Sequence, residues 1–173
     1  MRTETADLLT LAQWLSPAYP VSAYAWSHGL EHAIAAGEVA DRTRLEVWLA
    51  DLLRHGAGWT DAVLLSRARE GDADAVPLAA ALAPGRERRD ETLSQGGAFA
   101  RTTTALAGET IEEAAHPVAV GVASRALGLS TETVAALYLQ AFAANLVSAA
   151  VRFVPLGQTE GQGVLAALHP LIG

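Results

Sequence analysis

The sequence predicts an all-α fold, a single domain of about eight helices, and three observations carry the prediction. Apolar residues make up 51 % of the 173-residue chain but aromatics only 6 %. With alanine supplying much of the apolar count, this suits closely packed helices better than strands, which favour β-branched and aromatic side chains. Apolar residues recur at helical spacing, and no stretch alternates as a half-buried strand would. The length fits one domain, residues 1–173, with enough chain to bury a real core.

Taken in order, Leu8, Leu11, Ala12 and Leu15 form the stripe of a first helix ending near Ser16. Pro17 and Pro20 stop it, since each fixes its own φ and disfavours helical geometry in the residue before it. Four large rings (Trp14, Tyr19, Tyr24 and Trp26) crowd this joint and mark it as a packing hub. A second helix is expected over Ala23–Ala36, with Gly37 as its stop. Asp41 or Thr43 opens a third, Thr43-x-x-Glu46 having the capping-box form, with the stripe Leu45, Trp48, Leu49, Leu52, Leu53. It ends at Gly56-Ala-Gly58. Thr60 then caps a fourth helix through Glu70, and a short alanine-rich fifth covers Ala73–Ala83 before Pro84-Gly85.

The segment from Arg86 to Leu106 is longer and more polar. Gly96 and Gly97 each cost a helix about 1 kcal/mol relative to alanine, so they either admit a neighbouring backbone or form a hinge. Ala107–Ala115 is a connection rich in Gly and Glu. His116-Pro117 opens a helix ending at Gly128, with proline at the tolerated first position. Ser130 caps the longest apolar helix, Thr131–Val154, which Pro155 terminates; residues 155–162 turn into a last helix running to about His169.

The composition also excludes. Without cysteine there are no disulfides, thiolate nucleophiles or sulfur-ligated metals. All twelve basic residues are arginine, and without lysine there is neither a Walker A motif nor Schiff-base chemistry. A net charge of −7 argues against nucleic acid as a partner. No run approaches the ~20 uncharged apolar residues of a membrane span, and the N-terminus has no apolar core of a signal peptide. The expected setting is cytoplasmic, with no membrane partner.

Few residues suggest chemistry. His28 and His32, at i, i+4 on the expected second helix, have the spacing that lets two imidazoles share a metal, or they are hydrogen-bonding partners at a packed joint. His55, His116 and His169 look isolated, and no triad or carboxylate pair stands out. Asn145, Ser148 and Arg152, at i, i+3, i+7, share one face of the most apolar helix. Buried there, Arg152 would have to be paired: it either bonds a neighbouring helix internally or serves a partner surface. Gln158, Thr159 and Gln162 add an amide-rich patch on the following turn.

Three blocks resemble a known family. Ser16 to Glu31 is similar to S-x-x-x-P-V-G-x-[FY]-[AS]-[YW]-S-[HQ]-G-L-E, with Ser22 in place of the usual glycine. Leu146 to Gln162 (LVSAAVRFVPLGQTEGQ) resembles S-A-A-V-R-L-V-P-L-G-Q-T-[DE]-G-Q, and Arg89 to Phe99 resembles E-T-x-x-Q-G-x-A-F. These are patterns of UreF, the F-type urease accessory proteins. The resemblance implies an all-α, usually homodimeric protein without catalysis of its own or a firmly bound cofactor. Such a protein sits between the GTPase UreG and the scaffold UreH (UreD) while the assembled complex delivers nickel to apo-urease. It implies partner contacts on the joint (Tyr19, Pro20, Tyr24, Ser27, His28, Glu31) and on the exit turn (Arg152, Gln158, Gln162), with Arg152 a candidate arginine finger. The family's C-terminal pattern S-x-R-H-E-x-Q-Y-x-R-L-F-R-S does not appear before Gly173, which bears on UreH binding, and the region between Phe99 and His116 is shorter than in the family. The competing readings are direct metal handling by His28 and His32, and a helical enzyme of unstated type.

Overall fold

The computed structural model describes residues 3–23 and 26–173, and among these there are helices and turns but no strand. The helices are α1 (Glu4–Trp14), α2 (Leu30–Ala35), α3 (Arg42–His55), α4 (Ala57–Arg69), α5 (Ala75–Leu82), α6 (Arg86–Ala107), α7 (His116–Ala123), α8 (Thr131–Ala150) and α9 (Gln158–Ile172).

Caps set many of these boundaries. Thr3 Oγ1 accepts from Ala6 N at the start of α1, Asp41 Oδ1 from Arg44 N at α3, and Ser130 Oγ from Thr133 N at α8. At α9 the reciprocal half of a capping box is present, Gly157 N donating to Glu160 Oε2 at 2.9 Å.

The structure departs from the sequence reading at several ends. The second helix does not run from Ala23; it is confined to Leu30–Ala35. Ser22 (φ 57°), His28 (φ 51°) and Gly29 (φ 81°) are left-handed, a conformation that cannot continue a right-handed helix. Thr60 caps nothing: α4 begins three residues earlier at Ala57, and Thr60 Oγ1 instead donates back to Gly56 O. The helix opened by His116 stops at Ala123, followed by a 3-10 turn over Ser124–Ala126. The longest apolar helix ends at Ala150, where Arg152 N and Phe153 N turn to carbonyls three residues back. The last helix passes His169 and reaches Ile172, with Pro170 in its final turn.

Three apolar clusters hold the helices together. One gathers Leu11, Trp14, Tyr19, Phe99, Val120 and Val134. A second gathers Leu30, Leu45, Leu49, Leu146 and Val164, and a smaller one joins Leu64 and Ala79 to Val118. Helix α8 spans the first two, its Val134 end in one and its Leu146 end in the other. By length and composition it is also the one described helix apolar enough to cross a membrane. Val134, Ala143, Leu146 and Ala150 on it are buried.

The paired glycines do not bend α6, which is continuous from Arg86 to Ala107. A Cβ on Gly96 would lie 1.8 Å from the carbonyl oxygen of Ala114, so this glycine lets the α6–α7 connection pass directly over the helix. Gly121 does the same where α7 crosses α4, a Cβ there meeting Leu65 O at 2.5 Å. Internal arginine capping occurs at Arg69 and Arg125. Arg69 donates to Ser124 O, Leu127 O and Leu129 O, while Arg125 returns to Ala68 O.

Candidate functional site

The described residues of the proline-rich joint form a corner of irregular backbone between α1 and α2. Trp14 and Tyr19 pack on Phe99 of α6 with ring centroids 5.7 Å apart in both pairs. Three polar side chains tie the corner down. Tyr19 Oη meets Thr103 Oγ1 at 2.9 Å, Asn145 Nδ2 donates to Ala23 O at 2.9 Å, and His28 Nε2 meets Glu91 Oε1 at 3.2 Å.

Glu91 belongs to a buried ionic network. Arg88 Nη2 contacts both oxygens of Asp61, at 2.6 and 2.7 Å, and its Nη1 reaches Glu91 Oε2 at 2.8 Å. Gln95 Nε2 donates to Glu91 Oε1 at 3.2 Å. Tyr138 Oη donates to Asp61 Oδ2 at 3.0 Å and lies 3.3 Å from His116 Nδ1. A phenol has one proton, and with it committed to Asp61 the phenol oxygen must accept from Nδ1–H of His116. That leaves His116 Nε2 as a bare acceptor, buried and without a protein partner.

The titration of these groups follows from their surroundings. Burial pushes His116 down, the Arg88 charge adds to it, and the imidazole falls to about 4. Burial also pushes Asp61 up against the pull of Arg88 and Tyr138. For Glu91, burial acts upward but the His28 and Arg88 contacts win, holding it below the usual carboxylate range. Burial opposes charge on Arg88 too, yet Asp61 and Glu91 keep it protonated. Burial, then the Asp61 charge, raise Tyr138 well above its ordinary value.

Two voids flank the network. A cavity of about 80 Å³ lies between the corner and α8, lined by Trp14, Val21, Phe142 and Asn145 together with the network itself. On the other side, a groove of about 590 Å³ runs past Trp26, His55, Thr60 and Leu82. His28, Asp61, Arg88 and Glu91 line both.

The residues singled out in the sequence fare unevenly. Pro20 and Glu31 are exposed and Ser27 is half-buried. Tyr19 is buried, its ring in the core, so it offers a partner nothing directly. Tyr24 lies outside the described residues. His28 and His32 do not share a helix face: His28 precedes α2 in left-handed geometry with its side chain 9 % exposed, whereas His32 is exposed on α2. Among the described residues no group of three or more His, Asp or Glu has metal-binding geometry. Arg152 is not buried in an apolar helix. It lies exposed on the turn after α8, where its Nε donates to Ser148 O at 3.2 Å. Gln158 and Gln162 are exposed at the start of α9, and Phe153 stands 58 % exposed next to Arg152 in the chain. His116, isolated in sequence, is a member of the network, and no sequence motif marks the Asp61–Arg88–Glu91 group.

The UreF family model matches residues 39–169. The chain belongs to the UreF family. The relatives agree over nearly its whole length, including the corner that precedes the matched stretch. A urease accessory protein UreF of Cereibacter sphaeroides (strain ATCC 17025) is 60 % identical over 167 residues, 95 % of this chain and 80 % of the relative. Proteins of the same name are 54 % identical in Dinoroseobacter shibae, over 96 % of this chain and 80 % of the relative, and 51 % identical in Paracoccus denitrificans, over 98 % and 80 %. One backbone feature of the corner is Ser22 at φ 57°, a left-handed conformation that glycine adopts without strain. A role in urease maturation follows from membership of this family.

Proposed function

We propose that this UreF-family chain is a cytoplasmic, non-catalytic scaffold of urease maturation. It docks the GTPase UreG and the scaffold UreH (UreD), works as a homodimer, and couples the GTP cycle to nickel insertion into apo-urease. The observation that best supports two docking faces is the exit turn. Arg152 and Phe153 are exposed on the turn that follows α8, and Gln158 and Gln162 are exposed on the first turns of α9. Aromatic residues and arginine are both enriched at protein interfaces. The proline corner, with Pro20, Ser27 and Glu31 at its surface, is the second face. The absence of lysine supports assigning the nucleotide site to the partner, because a P-loop requires one.

Co-purification of the chain with UreG and UreH, each alone and together, tests the reading. Recovery of no complex even with both partners present refutes it. In the assembled complex, Arg152→Ala is expected to slow UreG turnover if the guanidinium stabilises charge at the partner's nucleotide. Unchanged turnover would remove that role while leaving the docking role intact. Direct metal handling by His28 and His32 would need a geometry other than i, i+4 on one helix, since His28 precedes α2.

A further inference from the structure

His116 Nε2 is the loose end of the buried network. The atom is shut off from bulk solvent, and among the described residues nothing donates to it. A buried acceptor left bare is costly, and nearly all such atoms in folded proteins have a protein or water partner. The proton inventory fixes what that partner must bring. Tyr138 gives its one proton to Asp61, His116 gives Nδ1–H to Tyr138, and Nε2 keeps a lone pair. A donor is required. The surroundings supply room for one: His116 lines the cavity of about 80 Å³ between the corner and α8, several times the ~10–15 Å³ that one water needs. Gln95 of α6 and Asn145 of α8 line the same cavity. Each has its amide nitrogen committed, Gln95 to Glu91 Oε1 and Asn145 to Ala23 O, and each keeps its carbonyl oxygen as an acceptor. Cavities that stay dry are apolar, and this one is not.

We infer that this cavity is an internal hydration site: an ordered water donates one proton to His116 Nε2 and the other to a carboxamide oxygen, Gln95 Oε1 or Asn145 Oδ1, across the cavity. The hydrogen bonds then run in one direction, from water to His116 to Tyr138 to Asp61, and each polarises the next. Arg88 closes the run by gripping both oxygens of Asp61. The water links α7 to a neighbouring helix where no side chain of the described residues reaches Nε2.

The test uses the full chain, first as wild type. A crystal structure at a resolution that orders internal water should show a density peak about 2.7–3.2 Å from His116 Nε2 and within the same reach of Gln95 Oε1 or Asn145 Oδ1. No peak there, or a protein donor on Nε2, overturns the inference. In solution, long-range proton–nitrogen spectra of the imidazoles read the tautomer of His116. Nδ1 protonated and Nε2 bare is expected, and a proton on Nε2 in the wild type overturns it. Tyr138→Phe then separates a water from any fixed donor. With the phenol gone Nδ1–H loses its acceptor, and a water, which accepts as readily as it donates, lets the proton move to Nε2. A switch of the His116 signal to the Nε2–H form is the expected result; an unchanged Nδ1–H form overturns the inference. His116→Phe keeps a ring in place and removes the lone pair, so the density peak should be lost from its crystals, and a peak retained at the same position would show that His116 does not hold the water. Should either variant fail to fold, the wild-type density and tautomer decide the matter.

Discussion

Acidification should weaken this fold between pH 6.5 and 4, and His116 should be the main cause. Its imidazole is buried, donates Nδ1–H to Tyr138, and falls from 6.5 to about 4. The unfolded chain takes up a proton near pH 6.5 and the native chain does not until about pH 4, so between these values the unfolded state binds one more proton. The stability tied to neutral His116 is complete above pH 6.5, declines as pH falls, and is gone by about pH 4. A gap of this size corresponds to roughly 3 kcal/mol, with a slope near 1.4 kcal/mol per pH unit. Glu91, depressed in the native state, adds loss of the same sign in the carboxylate range. Asp61, raised, works in the opposite direction. Denaturant unfolding of wild type and His116→Gln at half-unit steps from pH 7 to pH 4 isolates it. The wild-type slope between pH 6.5 and 5 should exceed that of the variant by about one proton. Equal slopes, or an imidazole NMR titration of His116 centred near 6.5, would refute the reasoning.

Three further outcomes follow from the geometry. Gly96→Ala should cost several kcal/mol (about 3 or more by analogy with severe overpacking) because its Cβ would overlap Ala114 O; urea midpoints check this, with Gly85→Ala, which has open space, as the control. Tyr138→Phe removes the hydroxyl joining Asp61 to His116 and should cost roughly 2 kcal/mol in thermal or denaturant unfolding; an effect below a few tenths would mean the network is not formed. Ser22→Val should destabilise by ~1–2 kcal/mol and Ser22→Gly should not, because only the β-branched residue is forced into left-handed backbone at an exposed position; a calorimetric Tm for each variant decides it.

Most of the helical framework was legible in the sequence because local chemistry wrote it. Gly37 takes the positive φ of a helix stop, and Asp41 and Ser130 cap where short polar side chains are expected to. The second helix was misread because its composition permits a helix while the tertiary contacts of His28 with Glu91 and Phe142 hold the backbone in a conformation that forbids one. The buried network was invisible for a different reason. Its members stand at positions 28, 61, 88, 91, 95, 116 and 138, and only Arg88, Glu91 and Gln95 are close enough in sequence to share a helix face. That i, i+3, i+7 run on α6, and Asp61 set among the apolar residues of α4, were the available signals. Each passes for solvated helix surface until the fold is seen. Arg152 was misplaced because α8 stops a turn early, which carries the arginine out of the apolar stripe and onto a surface turn.

The network's composition makes sense once the corner's lack of regular structure is considered. Burying Asp61, Arg88 and Glu91 costs desolvation that apolar residues of the same volume would not, so the ion pairs are a poor way to gain stability. What they supply is direction. Apolar contacts such as Trp14 and Tyr19 on Phe99 hold the corner against α6 but allow it to slide and rotate, since dispersion and the hydrophobic effect are nearly isotropic. Charge-assisted bonds at 2.6 to 3.2 Å have narrow angular tolerance, and here they reach the corner from α6, which is itself braced by Asp61 on α4 and through it by Tyr138 on α8. A helix would orient its side chains through its own backbone ladder. The described residues between Ser16 and Gly29 form no long helix to do so, and their orientation must be imposed from outside by side chains. For a protein whose proposed work is to present surfaces to other proteins, a rigid buried ionic brace beneath the least regular surface segment is where directional bonding has the greatest effect.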